Sequence, residues 1–66
     1  MMKADVLVQD EGTLVMFIPQ TDAGRAFVAA ELAEAIPFGR GVCVGHRYAA
    51  NVIYGMGDAG LSLQMN

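Results

Sequence analysis

The sequence predicts a two-layer α+β domain in which a mixed four-stranded sheet carries both of its helices on one face. The prediction rests on short apolar runs rich in β-branched residues, on two stretches with helical spacing, and on Gly or Pro at boundaries between them. The predicted element order is β-β-α-β-α-β. Each helical crossover favours a parallel pair of strands joined by a right-handed connection. The order of the strands within the sheet is left open.

The first two strands are predicted to form a β-hairpin. Residues 6–8 and 13–18 are rich in β-branched and large apolar residues, and Gly12 between them can supply the positive φ of a tight turn. Residues 14–18 are apolar at every position, which is typical of a central strand covered on both faces, or on one face and by a partner chain on the other. Pro19 ends this strand because it has no N–H to donate to a ladder.

The first helix is predicted to run over residues 22–35. Thr21 suits the N-cap position, and Asp22 complements the positive end of the helix dipole. Glu31 and Glu34 mark the solvent side of this helix. The residues predicted to face the core are Val28, Leu32, Ala35 and Ile36.

The second half of the chain is predicted to hold a loop, a strand, a helix and a final strand. Residues 37–41 form the loop because of their Pro and Gly content, and residues 42–44 form the strand. The helix that follows has apolar residues at i, i+3, i+4 and i+7, namely Ala49, Val52, Ile53 and Met56. Its opposite face carries Arg47, Asn51, Tyr54 and Asp58. Gly60 suits the position after the helix end, and residues 61–65 alternate as the last strand.

The composition limits the classes of protein that remain. The chain has 66 residues, of which 55% are hydrophobic. We therefore expect residues 1–66 to form a single compact domain, with room for a core but not for a cleft of ~300–1,000 Å³. A single cysteine excludes an internal disulfide framework and favours the reducing cytoplasm. Neither enzymatic activity nor a cofactor is expected.

The charge and the hydropathy pattern argue against two kinds of partner. The net charge is −3 and the four Lys and Arg residues are scattered along the chain, so direct binding to nucleic acid is not expected. The chain reaches an acid soon after its start, unlike a signal peptide. Its longest apolar run is far shorter than the ~20 residues that cross a bilayer, so no membrane association is expected. A mildly acidic surface suits a protein partner with a basic face.

Two motifs suggest chemistry but are better explained by structure. Cys43 and His46 lie three residues apart, so in a strand their side chains point to opposite faces, and no other Cys or His completes a zinc site. We interpret Cys43 as a small core residue and His46 as a surface residue at a helix start. Residues 55–60 spell G-x-G-x-x-G, but the six residues that follow leave no helix to hold a pyrophosphate. No catalytic, metal or cofactor site is predicted.

Exposed acids and one tyrosine are the candidates for binding a partner. Glu31 and Glu34 form a carboxylate pair on the first helix, although a solvated face is the simpler interpretation. Tyr54 offers contact area at low entropic cost, although a half-buried position is the more common role of a helical tyrosine. The predicted partner-binding residues, which include two acids at the hairpin tip, are Asp10, Glu11, Glu31, Glu34, Tyr54 and Asp58.

Several segments resemble very short proteins of phages and mobile elements of Gram-negative bacteria. The segments are residues 11–19, 21–28, 41–44, 47–48 and 55–61, which together hold 30 of the 66 residues and are spread along the chain. Some tiny acidic proteins from the same genetic setting are anti-CRISPR proteins, which occupy surfaces of CRISPR effector complexes. The resemblance implies a non-catalytic inhibitor in the cytoplasm of a bacterial host cell, which binds a type I effector complex (Cascade) and hinders target DNA. The chain lacks a dense carboxylate array, so steric blocking is favoured over DNA mimicry.

A self-associating module is the alternative function, from a different class. The apolar fraction is high for so short a chain. An exposed edge strand at residues 61–65 would pair with a copy of itself. The sequence therefore leaves two competing expectations, a homo-oligomer and an inhibitor of another protein.

Overall fold

The computed structural model of the protein describes residues 3–65, which form five strands and two helices. In chain order these are β1 Val6–Asp10, β2 Leu14–Pro19, α1 Asp22–Glu31, β3 Ile36–Phe38, β4 Gly41–Gly45, α2 His46–Asp58 and β5 Leu63–Met65. The strands form one open sheet in the order β3-β4-β2-β1-β5. The prediction about a signal peptide concerns residues 1–5, of which Met1 and Met2 lie outside the described residues.

The sheet is mixed, and the predicted α+β class is confirmed. β1 pairs with β5 in parallel, and the β1–β2, β2–β4 and β3–β4 pairs are antiparallel. β2 is the middle strand of the five, in agreement with its continuous run of apolar residues. Both helices supply residues to one core cluster on the same face of the sheet. The buried members of this cluster are Val6, Val8, Val15, Phe17, Val28, Val44, Ala49 and Met56.

The prediction of four strands is wrong, because the segment predicted as a loop contains β3. Ile36 pairs with Cys43 and Phe38 pairs with Gly41, so residues 36–45 form a second hairpin. Pro37 is compatible with this strand because β3 lies at the sheet edge, where a missing N–H costs no ladder hydrogen bond. Gly39 has a φ of 59°, which glycine adopts readily in a tight turn.

The first helix is shorter than predicted, since α1 ends at Glu31 and Leu32 is its C-cap. Two constraints explain the early end. The residue before a proline is disfavoured in the helical region, so Ile36 is extended ahead of Pro37. The chain must also reach the sheet edge, and it turns where the Ala35 N–H donates to the Leu32 carbonyl oxygen at 3.0 Å. Ile36 consequently leaves the predicted core position.

The predicted turn and helix-end signals are confirmed. Gly12 has a φ of 94° between β1 and β2. The Thr21 hydroxyl caps α1 by accepting a hydrogen bond of 3.1 Å from the Gly24 N–H. At the end of α2, Gly60 has a φ of 82°. The Gly60 N–H donates to Gly57 and the Leu61 N–H donates to Met56, each at 3.0 Å, which is the hydrogen-bond pattern of a Schellman motif.

Candidate functional site

The face of the sheet turned away from the helices is apolar. Cross-strand partners share a face, and neighbouring residues of a strand point to opposite faces. Val8 and its partner Phe17 are buried beneath the helices, so Met16 and its partner Cys43 lie on the other face. The apolar residues on this side, which we call the open face, are Leu7, Leu14, Met16, Ile18, Ile36, Phe38 and Cys43.

The open face is uncovered within residues 3–65. None of its residues takes part in the core cluster to which both helices contribute. Ile36 is 67% exposed and Phe38 is 61% exposed, while Met16 is half-buried between neighbouring strands. The polar side chains on the strands of this face are the uncharged Gln9 and Gln64. At its margin, beyond the end of β1, Oε2 of Glu11 accepts a hydrogen bond of 2.8 Å from Nε2 of Gln9. The strands therefore present to solvent an apolar surface without a charged side chain.

Met16 lies at the centre of the open face. It is in the middle of β2, which is the middle strand of the sheet. Its partners are Gln9 on β1 and Cys43 on β4, and Cys43 is in turn paired with Ile36 at the edge. These four paired residues form one row across the sheet. The row is polar on β1 and apolar from Met16 on β2 to Ile36 on the edge strand β3.

The interpretation of Cys43 as a core residue is wrong, while that of His46 is confirmed. Cys43 is half-buried on the open face, because the side chains directed to the core from β4 are those of Val42 and Val44. His46 is exposed at the first position of α2, with its Nε2 atom 3.9 Å from Oδ2 of Asp10. Asp10 is paired with the buried Val15, so Asp10 and the neighbouring His46 lie on the side of the sheet covered by the helices. Cys43 and His46 therefore lie on opposite sides of the sheet, as predicted.

The predicted partner-binding residues do not form one surface. Asp10 and Glu11 lie at the hairpin tip next to the start of α2. Glu34 is at the same end, beside Tyr48 in the first turn of α2. It lies beyond the end of α1, so the predicted helical pair with Glu31 is wrong. Three carboxylates therefore share one end of the molecule.

The two remaining predicted residues lie on α2. Tyr54 is 73% exposed, so its interpretation as a half-buried residue is wrong. Asp58 is the last residue of α2, at the other end of the molecule from the hairpin tip and about 18 Å along the helix from His46. Neither residue is on the open face. The open face was missed as a site, although the apolar run of β2 was a signal for it.

Two depressions flank the start of α2. One has a volume of about 190 Å³ and includes Asp10, His46 and Met65 in its lining. This volume is below that of ordinary small-molecule sites. The other is about 510 Å³, which falls within the range of small-molecule sites and is larger than the composition led us to expect. Glu34 is the charged residue in its lining. Its lining also includes Leu32, Val44 and Tyr48, so it lies on the helix side of the sheet.

Comparisons with known proteins identify no relative of this chain: no family model, no curated protein and no solved structure matches it. Within residues 3–65, neither helix has both the length and the apolar character needed to cross a membrane. The same residues contain no group of three or more His, Cys, Asp and Glu side chains arranged to hold a metal ion.

Proposed function

We propose that this chain is a small protein-binding module whose binding surface is the open face. The observation that carries the proposal is the uncovered apolar surface centred on Met16, which has no charged side chain on its strands. Large apolar patches on small proteins commonly mark interaction sites, because covering them releases water from apolar surface.

The pattern of β2 supports this proposal. An antiparallel strand with one face in water normally alternates apolar and polar residues. In β2 the residues facing the core and those facing away are both apolar, and Leu14, Met16 and Ile18 are the latter. Polar residues at these three positions would leave the core contacts of Val15 and Phe17 unchanged. The apolar character of Leu14, Met16 and Ile18 is explained by contact with another surface.

Site-specific photocrosslinking tests the proposal. A photoreactive phenylalanine analogue is placed at position 16 or, as a control, at position 51, where Asn51 is exposed on α2. We expect irradiation of cells that make the protein to produce a discrete crosslinked species from position 16 and none from position 51. The mass of that species distinguishes a second copy from a different protein. Absence of any crosslink from position 16 would overturn the proposal.

Inhibition of a type I CRISPR effector is a second candidate function. It is supported by the resemblance to phage proteins and by the three carboxylates, Asp10, Glu11 and Glu34, at one end of the molecule. An acidic end suits a basic surface that otherwise holds DNA, and it increases the rate of encounter more than the affinity. A Cascade partner, the absence of enzymatic activity and a location in the host cytoplasm stay predictions.

Phage plaquing tests this second function. Strains with active type I systems of different subtypes are infected with and without expression of the protein, and restored plaquing in one subtype supports inhibition. We expect D10N, E11Q and E34Q together to weaken the effect, with D58N as the control at the other end of the molecule. No restoration in any subtype would reject the inhibitor hypothesis and leave the proposed binding module unaffected.

A further inference from the structure

We infer that the open face binds a second copy of this chain, so that two sheets pack face to face around a two-fold axis near Met16. The inference rests on the proposed function, because it names the partner of that same surface. It differs from the predicted pairing of edge strands, which would join two copies through β5.

The distribution of charge favours a second copy. The chain has a net charge of −3, and copies that met through acidic surfaces would repel each other. The carboxylates of the helices are on the opposite side of the sheet, Glu34 lines a depression there with Val44 and Tyr48, and Asp10 is paired with the core residue Val15. Glu11 is the exception, because it reaches the margin of the open face, where it accepts a hydrogen bond from Gln9. Two copies that meet through their open faces therefore keep most like charges in the outer layers. A partner with a charged surface would have to desolvate that charge against apolar side chains.

The position of Met16 suits a symmetric interface. In a two-fold dimer the same surface is used by both copies, and residues on the axis meet their own equivalents. Because β2 is the middle strand, an axis through the centre of the open face packs β2 against β2 of the second copy. Met16 then meets Met16 at a sheet separation of ~10 Å. The unbranched methionine side chain adapts readily to such a contact.

The area of the face sets the expected strength of the dimer. The sheet has five strands, and at ~4.8 Å spacing and ~17 Å length they offer on the order of 400 Å². Two copies therefore bury on the order of 800 Å² before the rim is counted, which is below the ~1,000 Å² of a stable specific interface and in the range of weak, transient ones. Because this area is mostly apolar but small, we expect a weak, reversible dimer with a dissociation constant of micromolar order or above.

Opposite charges at position 16 provide the test. In M16E and in M16K, two like charges meet at the axis of the dimer, so each variant should be monomeric in sedimentation velocity across a concentration series. We expect the dissociation constant of each to rise at least ~100-fold. An equimolar mixture of the two variants should form a heterodimer, because the charges are then complementary. The matched controls are N51E and N51K, which place the same charges on the exposed side of α2 and should dimerise like the original chain.

The measurements are made with a reductant, so that Cys43 cannot crosslink two copies, and far-ultraviolet circular dichroism verifies that each variant is folded. Modification of Cys43 by a maleimide is a second measurement, since its rate in the original chain should fall as dimers form.

A strictly monomeric original chain would overturn the inference. If position 16 still crosslinked to a different protein, the proposed function would survive this result. Dimers that persist in both M16E and M16K would also overturn the inference and would indicate another surface, such as the β3 or β5 edge.

Discussion

The hydroxyl of Thr21 donates a hydrogen bond of 2.6 Å to Oδ1 of Asp5, and this contact joins the start of α1 to the start of β1. The same hydroxyl accepts the Gly24 N–H that caps α1. The other carboxylate oxygen of Asp5, Oδ2, accepts the Ser62 N–H at 2.9 Å, just before β5. One carboxylate therefore connects three elements that are far apart in the sequence.

Removal of the Thr21 hydroxyl is expected to destabilise the fold. T21A removes both the cap of α1 and the contact to Asp5, and loss of an N-cap alone costs about 1 kcal/mol. Urea unfolding followed by circular dichroism measures the loss. T21S keeps the hydroxyl and should retain most of the stability. Equal destabilisation by T21A and T21S would show that the methyl group, rather than the hydrogen bonds, is responsible.

The stability of the protein is expected to depend on pH through Asp5. The hydrogen bond from Thr21, followed by that from the Ser62 backbone, lowers the pKa of Asp5 below its ordinary value of 3.8. Because the folded-state pKa is the lower one, the stabilisation is present above the ordinary pKa and is lost as the pH falls through the folded-state pKa. Unfolding free energies measured from about pH 6 to pH 2 should fall more steeply for the original chain than for D5N. Parallel pH profiles would contradict this assignment.

Two glycines should respond in opposite ways to the same substitution. A Cβ at Gly57 would meet no atom within 4 Å, so G57A should stabilise α2 by about 0.5–1 kcal/mol. A Cβ at Gly41 would collide with the carbonyl oxygen of Phe17 and would lie 3.0 Å from Cγ1 of Ile18. We expect G41A to lower the melting temperature by separating β4 from β2. Thermal melts of both variants measure the two effects, and a stable G41A would show that the strands can move apart at little cost.

Methionines in the core and at the sheet edge should differ in their contribution to stability. Met56 is 0% exposed, whereas Met65 on β5 is 63% exposed. M56A leaves a cavity beneath the sheet and should cost about 2–5 kcal/mol, enough to unfold many domains of this size. M65A removes the same atoms from a solvated position and should change the unfolding free energy by less than about 0.5 kcal/mol. Denaturant unfolding of the pair makes the comparison, and similar losses for both would contradict the core assignment.

Local signals predicted the positions of most elements. The cap at Thr21, the turn at Gly12 and the helix end at Gly60 each depend on a few neighbouring residues, and each is present. The apolar stripe of α2 is also correct, with Ala49 and Met56 buried. The candidate site was predicted less well, because the exposed acids are spread over two ends of the molecule.

The errors concern residues whose surroundings come from distant parts of the chain. Ile36 continues the helical spacing from Val28, yet it pairs with Cys43 as part of β3. The interpretation of Cys43 failed for a related reason. Its apolar neighbours in the sequence suited a buried strand, but residue type alone does not indicate which face of the strand is covered.

Local interactions were enough to determine the two helices, most of the strands and the double-sided apolar character of β2. The pattern of β2 left two alternatives open, cover on both faces or cover on one face with a partner on the other. Only the tertiary structure excluded cover of both faces by residues 3–65, by placing both helices over Val8, Val15 and Phe17. The physical reason is that the face covered by a helix depends on strand order, register and the path of the connections. None of these is encoded by the residues of a single strand.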